Sequence, residues 1–192
     1  FNLVSLCLHF LIHQCQCIGR FIAIGGIHVE GGKQFTVGID HPRVKQIPVP
    51  SGVQAVIVHP HMFLATREAR ALLNKSVALS DFVWQTANLA GFISGCYTND
   101  LDLVRASFED VVIEPQRQAL IPGFGEVRAA AMEAGALGCS ISGAGPTMFA
   151  WSRTASAGAV RAAMVAAFEA RGIETDHWVV DIANRGARIE AT

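Results

Sequence analysis

The segment of this 192-residue sequence with the clearest chemical potential is Ser140-Ile141-Ser142-Gly143-Ala144-Gly145-Pro146-Thr147. Glycines at 143 and 145 let the backbone take positive φ and approach a ligand or a second loop closely. The segment is not a Walker A loop, because no Gly-Lys-Ser/Thr follows. It is not a dinucleotide fingerprint either, since a strand-like run and not a helix comes after it. On spacing alone, a tight hairpin between two strands also accounts for it. Arg70 and Arg117 are the next candidates. Arg70 lies one turn into a helical segment opening at Thr66, and Arg117 follows Glu114-Pro115-Gln116. A guanidinium is a planar fork that grips carboxylate or phosphate at two points. Their separation in sequence does not say whether they meet, and a solvated surface position is the ordinary fate of an arginine.

The remaining reactive residue types converge less. His59 and His61 flank Pro60 and would hold a metal only with a third ligand, which no neighbouring carboxylate supplies. No metal site is expected. There is no Ser-His-Asp order and no GxSxG elbow. Glu109-Asp110 reads as a solvated helix end rather than an acid/base dyad. His13, His28, His41 and His177 give no usable signal, and no catalytic residue is identified. Cys7, Cys15, Cys17, Cys96 and Cys139 form no CxxC pair, so they read as reduced thiols of an intracellular protein.

Composition narrows the class. Hydrophobic residues make up 51% and charged residues 16%, which excludes a disordered chain and suits a sizeable core. Lys+Arg is 15 against Asp+Glu 16, a net charge of -1, so no basic excess exists to neutralise nucleic-acid phosphates. The run Phe1 to Ile12 is broken by Asn2, Ser5 and His9 and falls short of the roughly 20 apolar residues of a membrane span. Neither nucleic acid nor membrane is an expected partner, whereas the apolar composition leaves room for a homodimer surface. No Lys or Arg precedes Arg20, so a secretory n-region is missing, and opening on Phe1 suggests a processed product or a fragment.

Elements that could position these residues follow from patterning. Residues 1 to 50 carry Gly and Pro clusters and little helical periodicity, with strands expected over Phe21 to Val29 and Gln34 to Ile39 across a Gly31-Gly32 turn. Pro48 and Pro50 mark a loop, and Gln54 to His59 reads as a buried strand. Helices are expected from caps at Thr66, Ser80 and Asn99, then from Pro122 to a stop at Gly135, and from Thr154 to a stop at Gly172. Leu137 to Ser142, Thr147 to Trp151 and Asp176 to Ile182 read as strands, with Arg188 to Glu190 as a further short one. The class is α+β, with an antiparallel sheet covered by helices on one face.

Taken together, these segments resemble one family. Thr66-Arg67-Glu68-Ala69-Arg70, then Glu114-Pro115-Gln116-Arg117 with Leu120-Ile121-Pro122-Gly123-Phe124, are similar to elements of the homoserine kinases. So are Glu133 to Thr147 around the glycine turn and the closing Gly186-Ala187-Arg188. That family belongs to the GHMP small-molecule kinases. The resemblance runs from about Val53 to the C-terminus and implies a GHMP kinase C-terminal domain over 51–192, a ferredoxin-like α/β sandwich, with residues 1–50 an N-terminal remnant or arm.

The resemblance also implies an activity, the ATP-dependent phosphorylation of the homoserine hydroxyl in threonine biosynthesis, with Mg2+. Arg70 and Arg117 would bind the homoserine carboxylate, and Ser142, Gly143, Ala144 and Gly145 would brace the ATP phosphate loop. Phosphoryl transfer depends mainly on such positioning and charge stabilisation. Nothing in residues 1 to 50 resembles the family's Pro-x-x-x-Gly-Leu-Gly-Ser-Ser-Ala phosphate segment, and the magnesium would be held mainly by that missing half. This chain alone is therefore expected not to turn over. Another GHMP small-molecule kinase, a non-enzymatic amino-acid-binding regulatory module and a non-functional remnant stand as alternatives. The expected compartment is the cytoplasm, or a plastid in a plant.

Overall fold

The computed structural model describes residues 34–37 and 43–182. Two short strands, β1 (Gln34–Val37) and β2 (Arg43–Gln46), form an antiparallel pair in the register Gln34 to Gln46. The strands expected over Phe21 to Val29 and Arg188 to Glu190, and most of the 1–50 arm, lie outside the described residues.

The main body is a four-stranded antiparallel sheet in the order β4-β5-β3-β6, built from β3 (Val53–Pro60), β4 (Ala136–Ile141), β5 (Met148–Arg153) and β6 (Thr175–Asp181). Among the described residues, six helices connect or cover it: α1 (Thr66–Ala71), α2 (Leu79–Thr98), α3 (Leu101–Ala106), α4 (Glu114–Arg117), α5 (Phe124–Glu133) and α6 (Ala157–Glu169), with a 3-10 turn at Gln118–Leu120. The succession β3-α5-β4-β5-α6-β6 is a ferredoxin-like βαββαβ unit, into which α1 to α4 are inserted ahead of α5.

Both faces of the sheet are covered, not the single face expected. Strand side chains alternate, and the run Ala55-Val56-Ile57-Val58 is apolar at both parities. Val56 and Val58 pack with Met148 and Ala150 beneath α5 and α6, against Phe124, Val127, Val160, Met164 and Phe168. Ala55 and Ile57 pack with Phe149 and Trp151 on the opposite side, against Phe92 and Cys96 of α2 and Leu101 and Val104 of α3. Phe108 closes this second layer edge-on to Phe92 (centroids 5.6 Å) and Trp151 (5.7 Å). Its ring occupies the space of a missing side chain, since a Cβ on Gly138 would lie 2.0 Å from Phe108 Cγ.

Helix boundaries follow local chemistry more closely than the sequence reading. Asn99 takes the left-handed conformation (φ 57°) that ends α2, while Asp100 caps α3 by accepting from the Asp102 (3.1 Å) and Leu103 (2.9 Å) amides. The residue assigned as the cap of α3 thus terminates α2, a role that suits Asn as well as N-capping does. Ala65, Ala78 and Ser156 occupy the N-cap positions that the sequence assigned to Thr66, Ser80 and Thr154.

Candidate functional site

The three segments singled out by residue type meet in one polar seam, and Arg117 joins them. Arg117 ends α4 and is 1% exposed. Its Nε donates to the Ala69 carbonyl (3.2 Å) and its Nη1 to the Gly143 carbonyl (3.1 Å). Ala69 lies in the last turn of α1, where carbonyls have no partner within the helix. A buried guanidinium there satisfies the carbonyl and suits the negative end of the helix dipole. Arg70, the next residue, is exposed at the same end of α1. The Asn74 amide beyond α1 donates to Gln116 Oε1 of α4 at 2.7 Å, a second tie between the two elements.

The glycine turn lies between β4 and β5. The Ser142 amide donates to the Thr147 carbonyl (2.8 Å) and the Gly145 amide to the Ser142 carbonyl (3.1 Å). Gly143 (φ 63°) and Gly145 (φ 84°) take left-handed conformations that a side chain would strain. The turn is thus a tight hairpin whose backbone is in contact with a buried cation. Ser142 is buried, and Gly143, Ala144 and Gly145 are half-buried. At its exit, the Thr147 hydroxyl shares a hydrogen bond with His59 Nδ1 of β3 at 2.8 Å.

Sequence reasoning passed over Glu114 and Asp110. Glu114 opens α4, is 7% exposed, and accepts a short hydrogen bond from the Ser140 hydroxyl of β4. Arg128 Nε of α5 stands 3.5 Å from Glu114 Oε1, an ion-pair distance, and makes no hydrogen bond among the described residues. Burial dominates here and pushes the Glu114 carboxyl up to about 7, against the opposing pull of Ser140 and Arg128. Asp110 is not a solvated helix end. Its Oδ1 accepts from the Val112 (2.9 Å) and Ile113 (2.8 Å) amides, and desolvation raises its carboxyl above the usual range despite those bonds. Buried amides of α2 hold the same stretch, with Gln85 Oε1 accepting from the Val111 amide (2.8 Å) and Asn88 donating to the Glu109 carbonyl (2.9 Å). A proline directly after Glu114 was the available signal for this extra helical turn.

The other candidates stand apart. His61 pairs through Nδ1 with Glu174 (3.5 Å) and through Nε2 with Asp176 (3.2 Å), so its two carboxylates do not converge on one point. Among the described residues, no group of three His, Cys, Asp or Glu side chains could hold a metal ion. Cys96 and Cys139 are buried, and desolvation raises the Cys139 thiol well above its usual range.

Known proteins share this fold and much of this sequence. Residues 92–170 match the family model of the GHMP kinases C terminal. The chain is 43% identical over 176 residues to homoserine kinase of Xylella fastidiosa (strain M12), covering 89% of this chain and 55% of that protein. It is 46% identical over 193 residues to homoserine kinase of Chlorobium phaeovibrioides, covering 95% and 58%. Among solved structures, homoserine kinase from Cytophaga hutchinsonii superposes with a TM-score of 0.79 at 41% identity, over 81% of this chain and 50% of that one. Mevalonate kinase from L. major shares the fold alone, with a TM-score of 0.54 at 13% identity over 81% and 50%. Residues 92–170 of the chain carry the GHMP kinase C-terminal domain, within a fold that matches a homoserine kinase. Within that class its relatives are homoserine kinases, and it spans a little over half the length of those it matches.

Proposed function

We propose that this chain is the substrate-positioning half of an ATP-dependent small-molecule kinase that phosphorylates the hydroxyl of homoserine in threonine biosynthesis. The observation that carries the reading is the Arg117 clasp. In a chain 41–46% identical to homoserine kinases, it gathers the Thr66–Arg70 segment, the Glu114–Arg117 segment and the glycine turn into one seam. Arg70 and Arg117 serve the homoserine carboxylate in different ways. The first offers an exposed fork at the end of α1, and the second orders the backbone on which that fork stands. Ser142 to Gly145 braces the segment that holds the ATP phosphates. ATP supplies the phosphoryl group. Mg2+ accompanies the ATP and is held mainly by the other half of the enzyme, and no residue of this chain is assigned to it. The work of these residues is therefore orientation and neutralisation of the substrate.

The proposal extends to a homodimer in the cytoplasm, with sedimentation velocity as the check on assembly. No helix among the described residues is long and apolar enough to cross a membrane. ADP release with magnesium, ATP and homoserine tests the activity. The chain alone is expected to be silent, and a polypeptide supplying the nucleotide-loop half is expected to restore turnover that Arg117→Ala abolishes. Silence after that addition would overturn the kinase reading. Steady homoserine-dependent release by the chain alone would overturn its inactivity. Mevalonate and galactose serve as alternative substrates, since a kinase specific for either would release ADP with its own substrate and not with homoserine.

A further inference from the structure

Helix α4 is a single turn, too short to hold its place by its own hydrogen bonds. What its two ends grip must therefore seat it. At one end Glu114 is bound to Ser140 of β4 and faces Arg128 of α5. At the other, Arg117 grips Ala69 of α1 and Gly143 of the glycine turn. Ser140 and Gly143 lie three residues apart, so both ends of α4 are pinned to the same stretch where β4 runs into the turn. We infer that Glu114 is a positioning residue: by seating α4 against β4 and α5, it sets where Arg117 holds the end of α1 and the glycine turn. The inference rests on the reading of Arg117 as part of the substrate site.

The geometry makes this seat sensitive to one proton. Glu114 is faced by the negative charges of Asp110 and Glu109 from its own segment and by the cation of Arg128 from α5. From β4 come the Ser140 hydroxyl and the Cys139 thiol, which burial keeps protonated. Desolvation outweighs the favourable contacts, so the carboxyl changes charge near neutrality. The neutral form relieves the cost of a buried charge, and the charged form draws Arg128 and Ser140 closer. Either change is passed along a four-residue helix whose other end holds the site.

Nuclear magnetic resonance on the full chain tests this without substrate. The Gly143 amide and the Arg117 Nε–H are followed from pH 5.5 to 8.5. Both signals are expected to titrate with a common midpoint near 7, and to be flat in Glu114→Gln. Ser140→Ala is expected to raise the midpoint by roughly half a unit or more, because its hydroxyl favours the charged form. His59 touches Thr147 at the turn, so His59→Gln is measured in parallel and is expected to keep the midpoint. Immobile signals in the parent, a titration that survives Glu114→Gln, or one that disappears in His59→Gln would overturn the assignment. If Glu114→Gln fails to fold, an unshifted midpoint in Ser140→Ala overturns it instead. Homoserine plays no part in these spectra, so failure here and failure of the kinase assay are separate results.

Discussion

The aromatic layer on one face of the sheet and the polar seam around α4 are both buried, yet they are held by different forces. Phe92, Phe108, Phe149 and Trp151 stack with centroids 5.1 to 6.0 Å apart, and no buried charge lies among them. Shape sets their positions, and close packing leaves few alternatives. The seam instead contains Arg117 at 1% exposure, Ser140 at 2% and Glu114 at 7%, joined by directional bonds in a medium of low dielectric. There a lost partner leaves a buried group unsatisfied, and a proton or a ligand can change the arrangement. The first region supplies rigidity and the second responds to chemistry.

The largest effect is expected from the aromatic layer. Phe108→Ala removes the ring that fills the space over Gly138, and should lower unfolding stability by about 3–5 kcal/mol in urea titrations, equally at pH 6 and pH 8. A pH-dependent loss there would break the contrast. Arg117→Ala strands the Ala69 and Gly143 carbonyls and should cost roughly 2–4 kcal/mol of stability. Arg117→Lys should recover only part of it, because an ammonium cannot reproduce the fork. Calorimetry on the reconstituted enzyme should show homoserine binding weakened by about 1.5–3 kcal/mol in Arg117→Ala.

Glu114 sharpens the comparison through pH. Its folded value of about 7 lies above its ordinary 4.5, so the folded state binds its proton more tightly than the unfolded one. The associated stability is complete below about 4.5 and is lost as pH rises through 7, on the order of 3 kcal/mol in all. Glu114→Gln should flatten this decline in chemical unfolding measured from pH 4.5 to 8. A shallower slope of the same sign should remain at the acid end from Asp110, whose carboxyl is also raised by burial. The smallest change belongs to the rim of the aromatic layer. Asp100→Ala removes the cap of α3 and should cost about 1 kcal/mol, read as a modest fall in midpoint with no change in slope.

Much of the framework was legible because it rests on periodicity. The run Ala55 to Val58, the strands on either side of the glycine turn, and the stops at Gly135 and Gly172 could all be read from spacing. The second covered face was not. A strand apolar at both parities announces burial on two sides without saying which helix supplies the second cover. Along α2 itself, Phe92 and Cys96 are buried while Phe82 is 39% exposed. In the seam, Arg117 was visible as a residue type, but its contacts span 48 positions to Ala69 and 26 to Gly143, which no local pattern reports. Glu114 was harder still. A buried glutamate and a solvated one are the same letter, and only the packing of β4 and α5 around it distinguishes them.

The strand order also has a consequence for how the chain is made. The central strand β3 pairs on one edge with β5 and on the other with β6, which begins more than a hundred residues later. At a ribosomal pace of about 5–20 residues per second, β3 emerges roughly 6 to 24 s before its last partner exists. Until then its β6 edge is bare, and both of its faces are apolar. The inserted helices α2 and α3 follow it after α1 alone and leave the ribosome ahead of β4, β5 and β6. Besides building the seam, the insertion thus delivers an early shield to the strand that waits longest for its sheet.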